Sequence, residues 1–291
     1  MDHITHIQTF MAVVQHRNFS DAARAQGVVP SLVAKRIGHL ETHLKTRLFE
    51  RTTRKVNLTE AGERFYGKAM GLLSDMEALF TQVERDEGKL QGHIRLMAPT
   101  TLGIQRLGPL LNAFMVLHPK ITIEIALVDR STNPIESGFD LSISGRLASY
   151  EGVIDVPLRA VRPVLCASPN YLSQHPPISH PRDLVDHACL VFNATGKNWK
   201  FQSARGVVAV DVLARLLADD NMTILDAALR ALGLAILPHY VVHEHLKTGA
   251  LVSVLDRFSP QENWFKAYVP KRRMGVARVV ALIDWLKSQE L

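Results

Sequence analysis

Between residues 59 and 87 the apolar side chains Phe65, Ala69, Leu72, Met76, Leu79 and Val83 recur at spacings of four, three, four, three and four. That is a heptad seam, and it fits an α-helix and no strand. About 29 residues at ~1.5 Å rise make a rod of roughly 43 Å. So narrow a stripe suits pairing with a second helix; the alternative is an ordinary helix lying on its own domain. Thr59 is the expected N-cap. The rod divides the 291-residue chain into a small unit, 1–58, and a large one, 88–291.

The small unit holds nine basic residues against four acidic ones, while the whole chain is only +6. A compact basic unit on a near-neutral partner points to nucleic acid, although a merely solvated charged face has the same composition.

Local pattern sharpens this. Ile4, Ile7, Phe10, Met11 and Val14 have helical spacing. Then Phe19 to Gly27 reads as a short alanine-rich helix, with Ser20 as the expected N-cap and Gly27 as the stop. Pro30 suits the first turn of a third helix. In it Val33, Ile37, Leu40 and Leu44 share one stripe, Ser31, Lys35 and His39 lie opposite, and Arg36 sits at the margin. Short helix, tight turn and polar-faced helix make a helix-turn-helix signature, with the second helix entering the major groove. Residues 50–58 are basic and turn-rich, and alternate at Val56 and Leu58. They read as a two-stranded wing whose Arg51, Arg54 and Lys55 would reach phosphates or the minor groove beside the recognition helix.

Gly88 to Gly92 reads as a hinge. Beyond it strands and helices alternate, which implies parallel sheets covered on both faces. Two sheets are expected, with the loop-rich stretch 176–181 between them. Expected strands include 94–98, 121–128, 140–144, 162–167, 207–210, 233–237 and 264–269; expected helices are 102–117, 222–232, 239–246 and 276–287.

Signals for an enzyme are missing: no G-x-G-x-x-G, P-loop, H-E-x-x-H or G-x-S-x-G occurs. His239, His243 and His245 lack a nameable further ligand, so no metal or other cofactor is expected. Cys166 lies in an apolar strand pattern, where a thiol is inert packing; a redox pair with Cys189 is the weaker alternative. No run approaches ~18 apolar residues, so no membrane span is expected. With no secretory pattern at the start and only two cysteines, the expected location is the cytoplasm. Thr100 and Thr101 close an expected strand and open a helix, a position that can bind an anion such as a carboxylate, or simply cap the helix.

These residues resemble a known family. Phe10 to Val14, Asn18 to Ala23, Val33 to Glu41, Arg47 to Arg51 and Leu58 to Gly62 look like the DNA-binding domain of the bacterial LysR-type transcriptional regulators. Gly138 to Leu141, Leu165 to Pro169 and Gly233 to Pro238 resemble their effector domain. The resemblance implies a winged helix-turn-helix, a linker helix, and a two-lobed α/β effector domain like periplasmic binding proteins. Lobe I is then expected over about 93–161 and 268–291, and lobe II over 162–267. It further implies homodimers through the linker helix that pair into homotetramers on promoter DNA. A small effector, often a carboxylate, is implied between the lobes. By resemblance Ser20, Pro30, Ser31, Ala34, Lys35 and Arg36 face DNA, with Arg51, Thr52 and Arg54 in the wing. Thr100, Thr101 and Thr132 are the implied effector contacts. Val29 and Ala34 depart from the serines usual at their positions, which puts base preference in question. A periplasmic solute-binding protein would share the large domain; an enzyme on the same fold has no visible constellation to support it.

Overall fold

A computed structural model describes residues 2–51, 56–83, 90–146, 148–204 and 206–289. The N-terminal unit is built from α1 (His3–His16), α2 (Phe19–Ala25), α3 (Pro30–Leu44), β1 (Phe49–Arg51) and β2 (Val56–Leu58). Its core is Phe10, Val13, Ala22, Ala23, Val33, Ile37, Leu40, Leu48 and Phe49, all buried. Ala22 and Ala23 present only methyl groups, so α1 and α3 approach α2 closely. Gly27 takes φ +66°, the left-handed conformation that the turn into α3 needs. The N-cap of α2 is Asn18, not Ser20: the Asn18 side chain accepts from the N–H groups of Ser20 and Asp21. Asn and Ser cap comparably well, and the helix starts two residues before Ser20 can serve. β1 and β2 pair antiparallel. The expected wing residues Thr52, Arg54 and Lys55 lie outside the described residues.

The rod is α4 (Glu60–Val83), and the expected residues 84–87 lie outside the description. Thr59 does cap it, accepting from Gly62 N–H at 2.9 Å. Gln91 and Gly92, expected in a hinge, instead open a strand, β3 (Gln91–Ala98).

Lobe I adds α5 (Thr100–Leu102), a π-helical turn at Gly103–Leu107, α6 (Gly108–Leu117), β4 (Lys120–Leu127), α7 (Pro134–Ser137), β5 (Leu141–Ser144) and β6 (Val153–Val161). Lobe II contains β7 (Pro163–Ala167), α8 (Pro169–Ser173), β8 (Cys189–Phe192), β9 (Asn198–Ser203), β10 (Gly206–Asp211) and β11 (Ala214–Ala218). It continues with α9 (Asn221–Leu229), β12 (Leu234–Pro238), α10 (His239–Lys247), β13 (Val252–Ser253) and β14 (Ser259–Pro260). The chain then returns to lobe I as β15 (Asn263–Pro270) and α11 (Ala277–Ser288).

The lobe I sheet has the order β4-β3-β5-β15-β6, and the main lobe II sheet β11-β8-β12-β7-β13. Neither is purely parallel, as the alternation had suggested. β15 runs antiparallel to β5 and β6, and β12 antiparallel to β7. The cause is the double crossing: a strand arriving from the other lobe enters its sheet from the opposite end. Asn263 pairs with Val161, so the return falls at 261–262, ahead of the expected 268. The proline-rich stretch 176–181 belongs to lobe II and does not separate the lobes. Each lobe has its own apolar core, on Leu96, Phe114, Leu141 and Leu282 in lobe I and on Leu165, Tyr171, Val191 and Phe201 in lobe II.

Candidate nucleic-acid interface and effector cleft

α3 begins with Pro30 at its first turn and has no side-chain cap, because Val29 stands at the capping position. Ser31, Lys35 and His39 are exposed on one side, while Val33, Ile37 and Leu40 are buried on the other. Ala34 is half-buried between them. Arg36, also half-buried, turns toward α1 and donates to Thr9 Oγ1 at 3.3 Å, so part of its bonding capacity is used inside the unit. Ser20 is exposed in the first turn of α2. At the far end of α3, Glu41 Oε1 accepts from the N–H groups of Leu48 (2.8 Å) and Phe49 (3.3 Å), tying the helix to the base of the wing. Arg51 ends β1.

The two lobes enclose a cavity of about 610 Å³, within the range of small-molecule sites. Lobe I contributes Asp129, Arg130, Ser144 and Arg146; lobe II contributes Phe192, Trp199 and Lys200; Tyr240 of α10 and Phe265 of β15 complete an aromatic wall. Three cations against one carboxylate make it electropositive. Arg146 is held by its Nη2, which donates to the Asp129 carbonyl at 2.8 Å. Burial pushes the Tyr240 hydroxyl well above the ordinary tyrosine range, so it is a neutral donor at physiological pH.

The three expected effector contacts sit differently. Thr100 N–H donates to Asp129 Oδ1 at 3.0 Å, so a carboxylate of the chain already occupies that helix start. Thr101 is buried and donates its hydroxyl to Asp220 Oδ1 in lobe II. Thr132 Oγ1 turns back to the Arg130 carbonyl at 3.4 Å. None of the three contributes to the cavity wall, whereas their neighbours Pro99, Asp129 and Arg130 do. The sequence reading missed Arg130, Arg146 and Lys200, which come from separate loops and strands with no shared motif.

Both cysteines are buried thiols outside any disulfide, and burial pushes the pKa of each up to about 12. The His239 and His243 rings lie with centroids 4.9 Å apart, tilted at 52°. Among the described residues no group of three His, Cys, Asp or Glu is placed to hold a metal, and no helix is long and apolar enough to cross a membrane.

Residues 4–63 match the family described as bacterial regulatory helix-turn-helix protein, lysR family. Residues 87–290 match the LysR substrate binding domain. The chain belongs to the LysR family of transcriptional regulators. This LysR-type regulator is 31% identical to the HTH-type transcriptional regulator YhjC of Escherichia coli K12, over 98% of this chain and 97% of that one. It is 30% identical to the probable HTH-type transcriptional regulator LtrA of Klebsiella pneumoniae, over 96% and 92%. Among solved structures it resembles full-length AphB, a Vibrio cholerae virulence activator, with a TM-score of 0.63 at 27% identity over 99% of each chain. The regulator is thus a DNA-binding transcription factor with an effector domain, and its relatives are regulators and not enzymes.

Proposed function

We propose that this regulator binds promoter DNA as a homodimer paired through α4, with two dimers forming a tetramer in the cytoplasm, and that an anionic small molecule binds between its lobes. The start of α3 enters the major groove, where Ser31 offers a neutral donor and Lys35 a charge. Pro30 sets the helix start and Ala34 offers a methyl to thymine. Ser20 and the wing residues Arg51, Thr52 and Arg54 contact the sugar-phosphate backbone; Arg36 adds charge from the margin. Leu72, half exposed on the heptad seam, supports pairing through α4.

One observation carries the effector half: the interlobe cavity presents Arg130, Arg146 and Lys200 beside aromatic walls. A carboxylate attached to an apolar body fits that wall. Thr100, Thr101 and Thr132 stay in this reading as the region beside the ligand that reports its arrival. Binding changes the geometry of the DNA-reading units only if the two arrangements differ in effector affinity.

Fluorescence anisotropy on the intergenic DNA upstream of the regulator's own gene, against shuffled DNA over a salt series, tests the DNA half. Preferential binding that weakens steeply with salt is expected. Absence of binding to either DNA at low salt would overturn it.

A further inference from the structure

Gly67, Gly71 and Asp75 lie four residues apart, on one face of α4. That face rests on lobe I of its own chain. A Cβ on Gly138 would overlap the Gly67 carbonyl, and one on Gly67 would lie 2.8 Å from the Ser137 carbonyl. The two glycines therefore let helix and loop cross at backbone contact. Two turns further along, Arg273 is 1% exposed. Its Nη1 lies 2.5 Å from Asp75 Oδ1, its Nε 2.8 Å from Asp140 Oδ1, and its Nη2 donates to the Gly71 carbonyl at 3.1 Å. Asp140 is itself fixed, accepting from Arg95 N–H at 2.8 Å. Arg95 in turn donates to the Gly138 carbonyl at 3.0 Å and stacks over Phe139. A buried guanidinium shared by two carboxylates resists separation, because removing either partner leaves charge uncompensated.

Asp140 immediately precedes β5. The strand ends at Ser144, which lines the effector cleft with Arg146. Four residues of strand, about 13 Å, thus separate cleft from clamp. On the other side, Phe65 of α4 packs edge-on against Phe10 in the DNA-binding core, centroids 5.1 Å apart. We infer that Arg273 and Asp75 are positioning residues that transmit the state of the cleft along β5 to α4, and so set the angle of the DNA-reading unit. The inference rests on the effector reading above.

The test needs no effector. Spin labels are placed at His16→Cys on α1 and Asp284→Cys on α11, both exposed positions; the buried native thiols stay unlabelled. Labelled chains are diluted with unlabelled ones, so the pulsed electron resonance distance is intrachain. Ser144→Trp fills the cleft end of β5, and Asp75→Asn removes the clamp charge at nearly constant volume, at a side chain that is 32% exposed. Ser144→Trp should move the distance by about 2 Å, the size of helix shifts in switching proteins, and Asp75→Asn should abolish that response. Gly67→Ala, which breaks the crossing by another route, should abolish it as well. Thermal melts confirm that each variant is folded. An unchanged distance in Ser144→Trp, or the same shift with and without Asp75, overturns the relay. Anisotropy on the same proteins reports separately: loss of DNA binding by the parent chain refutes the function, and the distances still judge the relay.

Discussion

Thr101 of lobe I donates its hydroxyl to Asp220 of lobe II, Oγ1 to Oδ1 at 3.1 Å, and so bridges the two halves of the effector domain. Asp220 also caps α9, accepting from Thr223 N–H at 2.8 Å. Burial works against its charge, but bonds from the Thr223 and Met222 amides and the Thr223 and Thr101 hydroxyls outweigh that and hold the carboxyl below its ordinary value. The bond therefore persists at neutral pH and draws the lobes together behind the cleft.

Replacing Thr101 by Val removes the donor at nearly constant volume. The expected loss is about 0.5–1.5 kcal/mol, read by urea unfolding of the full chain. Asp220→Ala should cost more, since it also uncaps α9, by about 1 kcal/mol further. Equal stability of Thr101→Val and the parent chain would show that the bridge contributes nothing in solution.

Lys35 is exposed on the outer face of α3 and has no ion-pair partner among the described residues. Lys35→Ala should weaken DNA binding by ~1–3 kcal/mol and alter preference at one base pair if it reads a base edge. Anisotropy with single-base variants of the operator measures both. A loss that is uniform across sequences would reassign Lys35 to phosphate.

His6 faces Asp2 and His3 from its own helix, and Arg36 and His39 from α3, with the His39 ring centroid 5.8 Å away. Burial lowers its pKa most, and the charges of His39 and Arg36 lower it further. The folded state thus binds this proton less readily than the unfolded chain, whose ordinary value is 6.5. Its contribution is complete above that value, declines as pH falls through it, and is gone below the folded pKa. DNA-binding-unit melting should fall between pH 7.5 and 5.5, and His6→Gln should flatten that dependence. An equal slope in the variant would assign the acid sensitivity elsewhere.

Cys166 and Cys189 should react with a maleimide only on unfolding. Burial raises both thiols to about 12, leaving almost no thiolate at neutral pH. Mass spectrometry after brief native labelling should find neither modified; rapid labelling of either would restore the redox alternative.

The DNA-binding unit was legible because its signals are local: alanines in a short helix, a glycine stop and a proline start, all within a few turns. The boundary error at Ser20 arose among residues that cap almost equally well. The heptad spacing of α4 reads as a pairing surface, while the Gly67–Asp75 face of the same helix lies on the chain's own lobe, a packing that glycines off the seam do not announce. In lobe II, β8 was hidden because Cys189 to Val191 is buried on both faces and shows no alternation. β9 does alternate, with Trp199 and Phe201 inward, but lies between polar turns that drew it into a loop. The effector wall was invisible for a different reason. Arg130, Arg146 and Lys200 meet only after the chain has crossed between lobes, and Arg273 reads as one of three basic residues in a row until Asp75 and Asp140 are brought to it.

The late return of β15 bears on the genetics of this regulator. A nonsense mutation after Gln261 spares nine-tenths of the coding sequence, including all of lobe II and the DNA-reading unit. It deletes the strand between β5 and β6, the helix that buries Leu282 and Leu286, and the arginine beneath α4. Lobe I loses an interior strand, and its edge strand β6 loses the neighbour it pairs with. Truncated alleles near the 3′ end should therefore behave as nulls, and a reporter fused at the C-terminus reads out a domain whose last strand lies inside its sheet, between β5 and β6.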